Sequence, residues 1–272
     1  MQSFVKKLSF LVLFVSTTVV SAQEKTIRFT GTAFTYPIIE KWIQEYEKEQ
    51  TGNNTRFEIS TDKNKDDSFQ IVAYQIKNEE SDNQQTIFYV GRYALIPITS
   101  QENPYLNQLK KGLNSKDLKD LVFEKSLEDI DDFSDKPRKE KHPFIVYTRD
   151  NKAGTTIALA EYFEKNPEDI KGKKIIGDDI FLLSAIKKYV NELTFSSLNY
   201  AYDIKTRQLK QDISIVPLKI KSQQQAILNS GNVDKTISLL EDTHIETIPI
   251  EKFGFVVPKK YENDKDFIDF IN

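Results

Sequence analysis

Two loops of the chain combine a glycine with hydroxyl side chains directly before an apolar, helix-like segment. The first is Gly31–Thr35 in "FTGTAFTYP", and the second is Arg149–Thr156 in "YTRDNKAGTT". The first N–H groups of a helix have no intrahelical acceptor and carry a partial positive charge, so this arrangement is typical of an anion site. Arg149 adds a planar set of donors that matches an oxyanion. We therefore predict that both loops contact one small anion.

Each loop taken alone also fits ordinary helix capping, because Thr and Asp cap helices and Gly ends turns in every class of fold. The two loops are more than a hundred residues apart in the sequence. They can contact one ligand only if two α/β lobes face each other across a cleft. The pairing of the loops, with Arg149 in the second, favours a binding site over two unrelated caps.

Strand-like and helix-like segments alternate along the chain, which favours an α/β fold. Strands are predicted at 26–31, 55–60, 86–99, 144–148, 197–203, 212–220 and 250–260. Helices are predicted at 38–52, 68–76, 114–125, 155–165, 177–193, 232–242 and 264–272. In this interpretation Asp178 and Asp179 are helix caps, and the charge run at 127–143 is a solvated loop.

The beginning of the chain and its composition limit the function classes. Residues 1–22 carry two lysines, an apolar run and small residues at the end, which is the pattern of a secretory signal peptide. A membrane anchor is the alternative, but the apolar run is short and contains several Ser and Thr residues. The chain has no cysteine and a formal net charge of −3, so disulfides are excluded and nucleic acid is not the expected partner. No nucleophile–base motif or metal-ligand motif is present, so we expect no enzyme, no metal and no cofactor.

The loops and their helices resemble those of periplasmic phosphate-binding proteins, the solute-binding components of phosphate ABC importers. "TGTAFTYPIIEKWIQEY" is similar to the first loop and helix of that family, and "YTRDNKAGTTIALAEYF" is similar to its Arg-x-Asp-x-Ser-Gly-Thr-Thr loop. "GLNSKDLKDLVFEK" and "IPIEKFGFVVPKK" resemble two further segments of the family. The resemblance implies a two-lobed α/β fold, the type 2 periplasmic-binding-protein-like fold, with a hinge crossed twice.

The chain departs from the family pattern where the family places its acidic ligands. Asn151 stands where the family has the aspartate of the arginine loop, and Ala153 replaces the serine before the glycine. The family's second acidic turn is matched only by "VGRYALIP", which offers Arg92 and Tyr93. A carboxylate in such a site selects an anion that still carries a proton. Its loss favours a more fully ionised anion, such as a sulfate-like or carboxylate group, or a site that has decayed. The resulting candidate ligand-binding residues are Thr32, Ala33, Phe34, Ser60, Thr61, Arg92, Arg149, Asn151, Gly154 and Thr155.

The resemblance implies the following organisation and function. Residues 23–97 and 204–272 form lobe 1, and residues 98–203 form lobe 2. The protein is an extracytoplasmic, periplasmic solute-binding protein that captures inorganic phosphate or a similar oxyanion for an ABC importer, with a membrane permease as its partner. It is expected to be a monomer. The alternative is a surface or periplasmic interaction module with the same scaffold, a degenerate anion site and no transport role.

Overall fold

The computed structural model describes residues 25–50, 55–61, 68–76, 84–109, 111–124 and 144–272. The signal-peptide prediction, the turn at 62–67 and the whole charge run at 127–143 lie outside these ranges. The strands are β1 Lys25–Gly31, β2 Thr55–Ile59, β3 Ser68–Val72, β4 Gln85–Ser100, β5 Ile145–Arg149, β6 Lys173–Ile175, β7 Glu192–Ser197, β8 Tyr202–Asp203, β9 Gln208–Leu209, β10 Ile213–Ile215 and β11 Ile250–Pro258. The helices are α1 Tyr36–Glu49, α2 Ser115–Val122, α3 Gly154–Tyr162, α4 Ile180–Lys188, α5 Leu198–Ala201, α6 Ser222–Asn229, α7 Val233–Asp242 and α8 Lys265–Ile271. Over the described ranges, every helix is too short or too polar to cross a bilayer.

In the described residues, one mixed sheet runs through the whole molecule in the order β2-β1-β3-β11-β4-β7-β5-β6, and β10 also pairs with β4. The strands at its two ends are parallel: β1 pairs with β2 and β3, and β5 pairs with β6 and β7. The middle of the sheet is antiparallel, where β11 joins β3 to β4 and β4 joins β7. Each parallel group places the carboxyl ends of its strands at one edge, where ligands of α/β folds bind.

Strand β4 belongs to both halves of the sheet. Its first part, from Gln85 to Ala94, pairs with β11, and its second part, from Leu95 onward, pairs with β7 and β10. The amide of Leu95 donates to the carbonyl of Pro249 at 2.9 Å, so the chain leaves one half and returns to it at adjacent positions. The described chain therefore passes between the halves twice, as predicted.

The first lobe is built around phenylalanine rings. Phe29 of β1 lies at the centre, with the ring of Phe57 at 5.8 Å, Phe255 at 4.8 Å and Phe270 at 5.4 Å between centroids. Aromatic pairs at such distances add about 0.5–1.5 kcal/mol each to the burial of their area. Helix α1 covers this core with Ile39 and Ile43, as its apolar periodicity predicts.

The second lobe has a larger aliphatic core, to which residues from Ala94 to Ile248 contribute. It includes Ile213, Leu228 and Leu240 from β10, α6 and α7. The predicted second boundary, at residues 203–204, would assign these elements to the first lobe. Their packing instead favours a boundary near Pro249, and we define the second lobe here as residues 95–249 and the first lobe as the remainder.

The predicted helix at 68–76 is wrong, because its first five residues form β3. Phe69, Ile71 and Val72 are buried, and β3 lies between β1 and β11 inside the sheet. The apolar spacing that indicated a helical stripe cannot be distinguished from a buried strand over so short a segment. The central position in the sheet decides the structure here.

Two other predicted elements have different bounds or types. In the predicted strand at 197–203, Ser197 ends β7 and the last two residues form β8, but the four residues between them form the short helix α5. The predicted helix at 177–193 ends at Lys188, and the residues from Glu192 onward form β7. Strand β7 pairs with β4 and β5 and all six of its residues are buried, so tertiary pairing overrides a continuous helical pattern.

Candidate functional site

A cavity of about 730 Å³ lies between the two lobes and is lined by both predicted loops. We call it the cleft cavity, Gly31–Thr35 the first corner and Arg149–Thr156 the second corner. Of the predicted ligand-binding residues, seven line it: Thr32, Ala33, Phe34, Thr61, Arg149, Gly154 and Thr155. The structure therefore brings together two loops that are remote in the sequence, in the arrangement that an anion site requires.

The first corner is a tight turn at the end of β1. Gly31 has a φ of +132°, and a Cβ at this position would lie 2.3 Å from the carbonyl oxygen of Ile71. Only glycine tolerates both this backbone conformation and this approach. Thr32 then donates from its N–H and its hydroxyl to the same Ile71 carbonyl, at 3.1 and 3.2 Å. The hydroxyl of Thr35 donates to the Thr32 carbonyl at 2.7 Å, so these donors are used within the first lobe.

The second corner leaves its backbone donors uncapped. Helix α3 begins at Gly154, and the residue at its N-cap, Ala153, has no side chain that could accept a hydrogen bond. Alanine is among the least favoured N-cap residues, because it leaves the first N–H groups without a partner. Gly154 and Thr155 are the first two helical residues, so their N–H groups have no intrahelical acceptor. With Ala153 before the helix, these donors remain available to a ligand.

The two corners touch each other. A Cβ on Gly154 would lie 3.2 Å from the hydroxyl of Thr32 and 3.4 Å from the Cβ of Ala73, so the second lobe packs directly against the first. The side-chain amide of Asn199 donates to the carbonyl of Phe34 at 3.3 Å, across the same junction. The cleft is therefore closed at this point, and the cavity is the space that remains beside the contact.

Arg149 forms a buried ion pair with Asp179. Its Nη1 lies 2.9 Å from Asp179 Oδ1, and its Nε donates to the carbonyl of Ile175 at 3.2 Å. The two side chains are only 13% and 10% exposed. Burial raises the pKa of Asp179 above its ordinary value, although Arg149 and the Thr155 hydroxyl bound to it act in the opposite direction. Asp179 therefore holds the Arg149 guanidinium at the cavity. The cost of burying the Asp179 carboxylate is only partly offset by its bonds to Arg149 and Thr155.

Asp179 and its neighbour Asp178 are the functional residues that sequence reasoning missed. Both line the cavity, and the Asp179 side chain makes no capping hydrogen bond to α4. Asp178 accepts from the amide of Ile180 at 2.9 Å and also binds the Tyr200 hydroxyl, whose pKa is raised by burial and by this bond. The expectation that the site lacks carboxylates is therefore wrong. The signal that was missed is that "GDD" follows strand β6 and precedes helix α4. The two predicted corners likewise follow a strand and precede a helix.

Three predicted residues are not among the described residues that line the cavity. Ser60 follows β2, where its amide donates to the carbonyl of Phe29 at 2.8 Å. Arg92 lies on β4, exposed and paired in register with Lys252 of β11. The side-chain oxygen of Asn151 accepts from Lys174. Arg92 therefore does not supply a second cation to the cavity, and the described part of the chain contains no cluster of three potential metal-ligand side chains.

Comparison with known proteins gives matches in structure only. No protein-family model matches the chain, and no curated protein matches it significantly. An ABC-type phosphate transport receptor from Vibrio cholerae has a TM-score of 0.58 at 12% identity, over 91% of this chain and 93% of that chain. A putative phosphate ABC transporter substrate-binding protein from Clostridium perfringens, with bound phosphate, has a TM-score of 0.56 at 16% identity, over 91% and 93%. The OxyR2 regulatory domain from Vibrio vulnificus has a TM-score of 0.54 at 12% identity, over 92% and 93%.

These similarities agree with the two lobes, the double crossing and the cleft described above. At such low sequence identities they show the fold, which a transport receptor and a regulatory domain share, and leave the ligand to be argued from the site. The chain therefore has the two-lobed, type 2 periplasmic-binding-protein-like α/β fold.

Proposed function

We propose that the protein is an extracytoplasmic solute-binding protein that captures phosphate or a related oxyanion for an ABC importer. One observation carries the proposal: Arg149 and the uncapped amino terminus of α3 face one cavity that the first corner closes from the other lobe. Guanidinium and helix N–H donors are the groups with which proteins bind tetrahedral oxyanions. The Vibrio and Clostridium proteins of the same fold, which are phosphate receptors by description, support this choice of ligand.

The carboxylates of the cavity refine the choice of anion. Asp178 and Asp179 can accept a hydrogen bond, and they repel an oxyanion that has only lone pairs to offer. An anion that retains a proton, as phosphate does near neutral pH, can donate that proton to a carboxylate while its other oxygens face Arg149. Phosphate is therefore favoured over sulfate, in contrast to the expectation drawn from the sequence.

The proposed compartment and partner rest on the signal-peptide pattern of residues 1–22 and on the transport receptors of the same fold. In this proposal the chain is secreted to the periplasm and delivers its ligand, as a monomer, to a membrane permease. The alternative is an interaction module without transport. The observation that favours it is that Asp179 already neutralises Arg149, which a decayed anion site would also show.

Calorimetric titration with inorganic phosphate tests the proposal. The parent protein should bind phosphate with micromolar or tighter affinity and bind sulfate more weakly. Arg149→Ala should weaken phosphate binding about 30-fold or more, since truncating one partner of a buried charge pair costs about 2–5 kcal/mol. Arg92→Ala removes an exposed arginine outside the cavity and should leave the affinity within twofold. The absence of binding across phosphate, sulfate and carboxylates would favour the interaction module.

A further inference from the structure

We propose that the natural ligand is an organic phosphate monoester with an uncharged, hydroxyl-rich body, and that inorganic phosphate occupies only one end of the cleft cavity. The inference rests on the proposed function, because it keeps the anion at the second corner. It adds a second subsite, on the first lobe, for the part of the ligand that is esterified to the phosphate.

The size of the cavity is the first argument. At about 30 Å³ per water molecule, 730 Å³ corresponds to roughly two dozen waters. A tetrahedral oxyanion has five heavy atoms and would displace only a few of them. The volume lies within the range of about 300–1,000 Å³ that is typical of pockets for organic ligands. An inorganic anion would leave most of the space to water.

Lobe opening does not explain this volume. The hydrogen bond from Asn199 to Phe34 already joins the lobes beside the cavity, and a Cβ added to Gly154 would lie 3.2 Å from the Thr32 hydroxyl. The junction therefore leaves little room for further closure. The space is thus present in a conformation in which the two corners are in contact.

The distribution of charge along the cavity is the second argument. Among the described lining residues, all the charged ones belong to the second lobe: Arg149, Asp150, Lys152, Asp178 and Asp179. The polar side chains of the described first-lobe lining are neutral hydrogen-bonding groups: Thr30, Thr32, Tyr36, Thr61, Ser68, Gln70 and Tyr74. The hydroxyls of Thr32 and Tyr36 donate within the first lobe, to the carbonyls of Ile71 and Gly31. A neutral polar surface of this kind matches the hydroxyl groups of a ligand. Over the described residues, the lining therefore has one ionic end and one neutral polar side.

Strand β3 gives the length of the neutral side. Ser68, Gln70 and Val72 line the cavity in alternate positions of the strand, and Ile71 also lines it, although its side chain, like that of Phe69, belongs to the first core. Residues two apart in a strand point to the same face, and each residue advances about 3.3 Å, so this row extends for about 13 Å. A ligand that reaches from the second corner along this row is several times longer than an inorganic oxyanion.

The carboxylates select the type of ester. A phosphate monoester loses its second proton near pH 6, so a fraction still carries a proton that Asp178 or Asp179 can accept. A sulfate ester has no such proton, and a phosphate diester has lost its only one. The ionic end of the cavity thus fits a monoester of phosphate better than these related groups.

The test is a calorimetric panel on the parent protein at pH 6.5, with inorganic phosphate, glycerol 3-phosphate, glucose 6-phosphate and glucose. We expect at least one monoester to bind tenfold or more tightly than inorganic phosphate, and glucose alone to bind at least 100-fold more weakly than its phosphate. Gln70→Ala should abolish the tenfold preference and leave the affinity for inorganic phosphate within twofold. Gln75→Ala, an exposed glutamine outside the described lining, is the matched control and should change neither value.

The outcomes separate this inference from the proposed function. Inorganic phosphate that binds as tightly as every monoester overturns the inference and leaves the anion receptor intact. Equal losses for both ligands in Gln70→Ala would also overturn it, because Gln70 would then act on the whole site. No binding of any phosphate overturns both. The ligand panel needs no variant, so a failure of Gln70→Ala to fold would not prevent the decision.

Discussion

The two corners of the cleft look alike in sequence but use their donors differently. In the first corner, the N–H and hydroxyl of Thr32 and the hydroxyl of Thr35 bond to carbonyls of their own lobe. In the second corner, Ala153 provides no cap and the first N–H groups of α3 have no helical acceptor. The first corner therefore stabilises the fold of its own lobe and shapes the cavity, whereas the second corner supplies the groups that can bind an anion. A glycine–threonine motif before a helix does not by itself show which of the two a loop provides.

The glycines of the two corners give the sharpest test of this comparison. In Gly31→Ala, the new Cβ would lie 2.3 Å from a backbone oxygen at a φ of +132°, so we expect a loss of about 3 kcal/mol or more in the free energy of unfolding. In Gly154→Ala, the contacts are 3.2 Å or longer and φ is not in the left-handed region, so the loss should stay below about 1 kcal/mol. Urea unfolding of both variants measures the difference.

Phosphate binding should show the reverse order, with the larger loss of affinity in Gly154→Ala than in Gly31→Ala. Gly154→Ala places a methyl group at the entrance to the α3 amino terminus, and we expect phosphate affinity to fall about tenfold, which is about 1.4 kcal/mol. If Gly154→Ala were the more destabilised variant and still bound phosphate normally, the division of roles between the corners would be contradicted.

The ion pair of the second corner makes the next prediction. Asp179→Asn removes a buried carboxylate from the anion's surroundings and frees Arg149, so sulfate affinity at pH 8 should rise about tenfold while phosphate gains little. The preference for a proton-bearing anion should then be lost. Asp150→Asn removes the same charge from the same lining without affecting Arg149, and calorimetry should show a change of about twofold or less. An equal rise in both variants would point to general charge and exclude a specific role for the pair.

The smallest expected effect concerns the junction between the lobes, away from both corners. Glu251 of β11 is half-buried, and burial, with Glu161 nearby, raises its pKa from 4.5 to about 7, although Lys252 acts to lower it. The folded state therefore binds more protons than the unfolded state between pH 4.5 and 7, and stability falls as pH rises through this window. Glu251→Gln should remove this dependence and be about 1 kcal/mol more stable at pH 8, a value reduced for solvent screening.

Urea unfolding at pH 4.5 and pH 8 measures this effect. The parent and Glu251→Gln should have nearly the same stability at pH 4.5, where the glutamate is protonated in the folded state and half protonated in the unfolded state. Glu168→Gln changes an exposed glutamate and should follow the parent at both pH values. A variant that is less stable than the parent at pH 8 would show that the ionised carboxylate stabilises the junction.

The sequence predicted the fold class and the two corners because these depend on local signals. Apolar periodicity predicted α1, and α2 begins within its predicted range, after Asn114, which forms a capping box with Asp117. It did not predict β3 or β7, whose identity depends on neighbouring strands that are distant in sequence. Nor did it predict the role of Asp179, since Arg149, the residue that gives it this role, lies thirty residues away. Contacts between strands that are distant in sequence do not produce a periodic pattern in the sequence.

Because strand β4 belongs to both lobes, it affects how the protein is expected to unfold. The first part of this sixteen-residue strand pairs with β11 in the first lobe, its second part pairs with β7 and β10 in the second lobe, and its register with β11 shifts at a bulge near Gly254. Unfolding of either lobe would leave one part of β4 without its described partner strands, so neither half is expected to survive alone. We therefore expect a single cooperative unfolding transition, with the amides around Ala94 and Leu95 among the slowest to exchange with solvent.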